Sequence, residues 1–175
     1  MRSGQVKDGR NLLIMNTHSN NMNNEKTTLV FVDDDPIVLH QFKTMFHSEY
    51  NVLTTTDVFE AFGWMQSSPV AVLISDLIMP MMNGIDFLQR MAKDFPNTQR
   101  ILLTGNLTTD AMMHAINKAR VFRVLGKPFS QNETAKVIEE ACYAYSQSLE
   151  KEKEMKRLSK QNEQFEFLLR QQLLS

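Results

Sequence analysis

Val30-Phe31-Val32-Asp33-Asp34-Asp35-Pro36 decides how this chain folds. The β-branched and aromatic side chains of Val30, Phe31 and Val32 suit a strand, and two acids directly after them mark its carboxyl end. Asp35 then reads as a helix N-cap. Pro36 reads as the first helical residue, where its missing N–H costs nothing. A strand that closes on acids and passes at once into a helix is the opening unit of a parallel α/β sheet.

The same design recurs outward from that point. An apolar run over residues 70–75 closes on Asp76, Ile101-Leu102-Leu103 closes on Thr104, and a run over 121–125 leads to Lys127. With a further strand over 50–54, the pattern predicts five strands at 28–32, 50–54, 70–75, 100–103 and 121–125. Helices are predicted to begin at Pro36, at Asp57 and near Ile85, then to span 109–118, with a last one opening at Ser130. Val38, Leu39, Phe42, Met45 and Phe46 form the buried stripe of the first. Asp57 with Glu60, and Ser130 with Glu133, have the spacing of capping boxes. Such an alternation predicts a five-stranded, right-handed, doubly wound parallel sheet. In sheets of this kind, sites form beyond the carboxyl ends of the strands. Three carboxylates, a hydroxyl and an ammonium would therefore gather on one face, a set suited to a metal ion and a phosphoryl group.

The 175 residues, 42% apolar, suffice for one good core. A net charge of −1 argues against general attraction to nucleic acid or anionic membrane. The single cysteine, Cys142, fits a reducing compartment, and no run reaches the roughly 20 apolar residues of a membrane span. A soluble cytoplasmic protein is expected, with no membrane partner and no direct nucleic-acid binding. Residues 1–26, crowded with Asn16, Asn20, Asn21, Asn23 and Asn24, are expected to be disordered. Residues 27–146 would form the folded domain and 147–175 a helical extension.

No Gly or Pro occurs from Phe129 to Ser175, so the last helix could run about 45 residues. Val137, Ile138, Ala141, Ala144 and Tyr145 suit packing on the sheet. Further on, Met155, Leu158, Asn162, Phe165, Leu169 and Gln172 step by 3, 4, 3, 4 and 3, a heptad seam. A coiled coil, and through it a homodimer, is expected; a solvated single helix is the alternative. Glu152 with Lys156 and Glu166 with Arg170 are favourable i,i+4 pairs.

Val32-Asp33-Asp34-Asp35-Pro36, Asp76-Leu77-Ile78-Met79-Pro80-Met81-Met82-Asn83-Gly84, Leu103-Thr104-Gly105 and Gly126-Lys127-Pro128-Phe129 occur in order at the ends of four predicted strands. In these motifs the chain resembles the receiver domain of two-component response regulators over about residues 27–146. The resemblance implies the flavodoxin-like receiver sheet and makes Asp76 the phosphoacceptor, with a sensor histidine kinase or histidine phosphotransfer protein as donor. It implies Mg²⁺ held by Asp34 and Asp76 directly, Asp33 mainly through water, and the backbone carbonyl of Ile78. Lys127 and Thr104 would contact phosphoryl oxygens, with the Gly105 N–H. The protein would then be a phosphoprotein of a phosphorelay and no ordinary enzyme. It would catalyse its own phosphorylation and slow dephosphorylation, with Ile78 and Asn106 tuning the latter. Its output would run through the face built by the 109–118 helix, the fifth strand and the last helix. Residues 147–175 would serve as a linker or dimerisation segment, and the chain could be the front end of a longer protein.

Other readings of single residues stand beside these. Asp35 is a helix cap and not a ligand; Met79, Met81, Met82, Met112 and Met113 fill gaps near the site mouth. Gly84 serves a tight turn, and Lys127–Pro128 is a cis bond as in the family. The family's switch aromatic, three residues before the lysine, is here Val124, and Phe122 on the same strand face is the substitute to consider. Two alternatives concern the whole chain. A pseudo-receiver would act by protein interaction alone. A haloacid-dehalogenase-like phosphatase is approximated by Asp33-Asp34-Asp35 but lacks a later acidic pair and a cap domain. His18, His40, His47 and His114 lie in no phosphotransfer motif.

Overall fold

A computed structural model describes residues 26–105 and 117–173. The elements follow as β1 (Thr28–Val32), α1 (Pro36–Phe46), β2 (Asn51–Thr55), α2 (Val58–Ser67), β3 (Val72–Asp76), α3 (Gly84–Asp94), β4 (Gln99–Thr104), β5 (Arg123–Gly126) and α4 (Gln131–Leu173). Residues 117–119 are helical. The rest of the helix expected over 109–118, together with residues 1–25, Asn106, Met112 and Met113, lies outside the described residues.

All strand pairings are parallel, in the order β2-β1-β3-β4-β5. Because successive side chains point to opposite faces, each apolar strand feeds two cores. Val30, Val32, Leu73 and Leu102 face α2 and α3, whose Val58, Ala61, Met65, Phe87, Leu88 and Met91 complete that layer. Leu29, Phe31, Val72, Ile74, Ile101, Leu103 and Leu125 face α1 and the first third of α4, where Leu39, Phe42, Phe46, Ile138 and Ala141 are buried. Phe42 sits at the centre of this second layer, its ring 4.8 Å from those of Phe31 and Phe46. The doubly wound parallel sheet read from the sequence is therefore the observed fold, and the long C-terminal helix is continuous for 43 residues.

The helix starts follow the sequence with one change. Asp35 Oδ1 accepts from the Ile37 N–H, and Ser130 Oγ accepts from the Glu133 N–H. At α2, Asp57 caps Phe59, but Glu60 does not return to the cap's own N–H. Instead the Thr55 hydroxyl stands between them, accepting from the Asp57 N–H at 2.9 Å and donating to Glu60. The two-residue box is thus a three-residue relay, because the strand ends one residue later than expected and brings Thr55 within reach.

Gly84 departs from expectation in kind. No described glycine has a positive φ, so no unusual turn requires it. A Cβ on Gly84 would lie 1.9 Å from the main-chain oxygen of Asp76. The missing side chain is what lets α3 start against the end of β3.

Arg100 is buried at the amino end of β4, and its guanidinium is spent on main-chain oxygens. Nε donates to Ala119 O, Nη2 to Arg120 O at 3.2 Å, and Nη1 to Thr98 O. Arg120 itself adopts φ 48°, the left-handed conformation that commonly ends a helix. Arg100 thus acts as a side-chain cap for the helical residues before β5. Arg100→Met is expected to cost about 3 kcal/mol, since it strands several buried carbonyls. A urea titration comparing midpoints checks this.

Candidate functional site

Every strand that contributes to the site ends on the same edge of the sheet. β1 delivers Asp33, β3 ends on Asp76, β4 ends on Thr104, and β5 leads to Lys127. Main-chain hydrogen bonds hold these ends together: the Leu77 N–H donates to Leu103 O at 2.9 Å and the Lys127 N–H to Thr104 O at 2.8 Å. Lys127 is followed by a cis bond to Pro128, as expected.

The Lys127 ammonium bridges two carboxylates, Asp33 Oδ2 at 2.6 Å and Asp76 Oδ1 at 2.5 Å. Backbone amides hold the other oxygens. The Asp35 N–H donates to Asp33 Oδ1 at 3.0 Å and the Ile78 N–H to Asp76 Oδ2 at 2.7 Å. Each carboxylate thus has a partner on both of its oxygens. Thr104 is buried beside them.

Asp33 has no exposed surface. That burial pushes its carboxyl above the ordinary 3.8; the Lys127 and Asp35 hydrogen bonds pull it back, and the Asp76 charge adds to the rise. Burial also disfavours the Lys127 ammonium, but hydrogen bonds to Asp33 and Asp76 outweigh it and hold the lysine above its ordinary value. A carboxyl raised in the folded state binds its proton more tightly folded than unfolded. Ionised Asp33 therefore costs stability, a cost that sets in as pH rises through 3.8 and is full above the raised value. Asp33→Asn is expected to raise the denaturation midpoint at pH 7, with the two proteins converging as pH falls below 3.8. Urea titrations at both pH values measure the difference.

Not every expected group joins the cluster. Asp34 is exposed, and among the described residues no three acidic, histidine or cysteine side chains form a ready-made metal cage. Just past β1, Lys127 and the Asp35 N–H hold Asp33 in the interior, while the chain bends at Asp34 and leaves that side chain in solvent. Asp35 serves as the cap. Met79 is buried and Met82 packs against the core, but Met81 is 80% exposed and fills no gap. Phe122 does not share a face with Val124. Val124 packs with the α2–α3 layer and Phe122 with the α1–α4 layer. The reason is that β5 starts only at Arg123 and Phe122 lies in a bend before it, which breaks the alternation. Phe122 is instead covered by the Arg123 guanidinium, 5.2 Å from its ring centre. The backbone amide of Ile78 is the contact that sequence reasoning misses; only the strand-end geometry reveals it.

The response regulator receiver domain model matches residues 29–139, well over half the chain. The chain belongs to the response-regulator receiver family. Among curated relatives of this receiver, the hydrogenase transcriptional regulatory protein HoxA of Cupriavidus necator is 25% identical over 123 residues, covering 70% of this chain and 26% of that protein. The response regulator receiver protein CpdR of Brucella abortus is 26% identical over 119 residues, covering 68% of this chain and 98% of CpdR. A crystal structure described as adenylate cyclase from Rhodopirellula baltica superposes with a TM-score of 0.70 at 30% identity, covering 75% of this receiver and 98% of that chain. The receiver spans about a quarter of the length of the curated relatives it matches first. The family is one of signalling domains and not of ordinary enzymes, so the phosphatase reading is set aside. No described helix is long and apolar enough to cross a membrane.

Proposed function

We propose that this receiver takes a phosphoryl group from a phosphohistidine of a sensor kinase or phosphotransfer protein onto Asp76. One observation carries the reading: a single ammonium spans a wholly buried and a nearly buried carboxylate at the carboxyl edge of the sheet. An Asp76 oxygen attacks phosphorus as the P–N bond breaks, and the bond's electron pair leaves with the imidazole. Lys127 shifts from the carboxylates to a phosphoryl oxygen, while Thr104 and the Gly105 N–H donate to the others. Holding Asp76 through the Ile78 N–H keeps the nucleophile aimed.

The donor set suits a hard divalent cation. Asp33 Oδ2 has the ammonium and no other polar partner among the described residues, and the oxygens of Asp33, Asp34, Asp76 and the Ile78 carbonyl are the ligand type Mg²⁺ takes. Mg²⁺, when bound, would supply positive charge against the phosphoryl oxygens.

Residues 27–146 serve as the receiver and 147–175 as its output extension. Phosphorylation redistributes two receiver states through the differential contacts of Thr104 and Lys127. The signal leaves by the face of β5, the preceding helical segment and α4. Because Phe122 faces the other layer, Val124 occupies the switch position without an aromatic substitute. Intact-mass spectrometry after incubation with acetyl phosphate tests the reading. One hydroxylamine-sensitive adduct that requires Mg²⁺ is the expected result, and its absence from folded, Mg²⁺-loaded protein incubated with a histidine-kinase donor would leave a pseudo-receiver.

A further inference from the structure

Helix α4 has two unlike parts. Its first third is gripped by the domain; from residue 153 to 173 every side chain is exposed. The grip extends to the base of the sheet, opposite the site. There Tyr145 and Leu149 line an open cleft of about 230 Å³ together with Pro69, Phe95 and Pro96, and the Asn97 amide donates to Glu152 at 2.5 Å. The exposed part begins immediately beyond that contact.

Met155, Leu158, Phe165 and Leu169 are all exposed on this free part. At 100° per residue their stripe lies roughly 120° around the helix from buried Thr134, Ile138 and Ala141. The stripe does not continue the face that packs on the sheet, so another helix can lie along it without meeting the receiver. The charges beside it are neutralised within the helix: Glu150 with Lys153, Glu152 with Lys156, Glu154 with Arg157, and Glu166 with Arg170. No oppositely charged partner is called for. Asn162 is the polar residue at the middle of the stripe. An antiparallel copy that sets Met155 against Gln172, the two ends of the heptad seam, sets the Asn162 amide against the Phe165 ring. A parallel copy in register sets amide against amide, which satisfies both and fixes two strands.

We infer that residues 153–173 are a parallel, in-register coiled-coil surface whose partner is a second copy of this chain. The Asn97–Glu152 contact then fixes where each coil leaves its receiver, and both phosphoacceptor edges point away from the coil. This names the partner for the output helix and so rests on the proposed function. Its test, however, uses unphosphorylated protein, and failure of phosphoryl transfer leaves the result untouched.

The full chain carrying Cys142→Ser provides the background for Met155→Cys, Phe165→Cys and Phe167→Cys. Phe167 points away from the stripe and is exposed. Sedimentation equilibrium is expected to show a dimer. Oxidation should link 155 to 155 and 165 to 165, with 167 linking far more slowly. Leu158→Lys with Leu169→Lys should weaken the dimer about a hundredfold or more, whereas Phe167→Lys should not. A monomer at every concentration overturns the inference. So does a dimer that links equally at 167, or one that fails to link at 155 and 165.

Discussion

Asp76→Asn is expected to form no phosphoryl adduct under conditions that fully label the unsubstituted chain. The amide nitrogen is no nucleophile, and an amide oxygen is far weaker than a carboxylate oxygen, so the effect is all or none. The fold should survive, because Asp76 is nearly buried at a strand end and an amide keeps its volume. Two of its local contacts respond differently. The Ile78 N–H can still donate to the Asn oxygen. The Lys127 ammonium loses one of its two charged partners and keeps Asp33 at 2.6 Å. Lys127 is held above its ordinary value partly by Asp76, so its titration in the variant should move downward. Intact-mass spectrometry reads the first effect and NMR titration of the lysine Nζ the second. An adduct on the variant would place the phosphoryl group elsewhere and remove Asp76 from the mechanism.

What the sequence disclosed about the site depended on strand ends. A residue directly after an apolar run sits at the sheet edge whatever the details of packing, so Asp33, Asp76, Thr104 and Lys127 could be placed there from spacing alone. Which of two adjacent acids turns inward is a different question. Asp33 and Asp34 have identical chemistry, and only the bend that the chain makes at Asp34, just past β1, leaves one wholly buried and the other exposed. The same limit explains Phe122. Strand alternation does not carry through a residue that belongs to a bend, and with β5 starting at Arg123 in place of Val121 the Phe122 ring goes to the opposite layer. Caps were legible where the motif is local, as at Asp35. At α2 they were not, because Thr55 enters from the preceding strand. The stripe on α4 was legible as a periodicity, but its angle to the buried face needed the positions of Ile138 and Ala141.

Asp33 and Lys127 also show why the site is costly to keep. A buried carboxylate raised by desolvation is a poor stabiliser, yet breaking the pair from the lysine side would leave that charge uncompensated. The arrangement makes sense if the ammonium is needed at this edge for what arrives there, and the stability lost at Asp33 is offset by the two apolar layers on either side of the sheet.

Gly84→Ala is expected to destabilise the protein by about 3 kcal/mol or more, since overpacking against backbone cannot be relieved by a side-chain rotation. The new Cβ would meet Asp76 O at 1.9 Å and the Asp76 carbonyl carbon at 2.9 Å. Relief requires α3 to lift or the chain at Asp76 and Leu77 to move. Either shift disturbs the Gly84 N–H bond to Leu77 O at 2.9 Å and the Ile78 amide that holds Asp76. The variant should therefore lose stability and be labelled more slowly by acetyl phosphate. Gly63→Ala supplies the control. Gly63 lies inside α2, and a methyl group there would meet nothing within 4 Å, so alanine should add about 0.5–1 kcal/mol through helix propensity. Opposite signs for the same substitution, read from paired urea titrations, would separate a glycine kept for close approach from one that is merely tolerated. Equal and small effects at both positions would mean that α3 can retreat from β3 at little cost, and that the Asp76 backbone is not held by this contact.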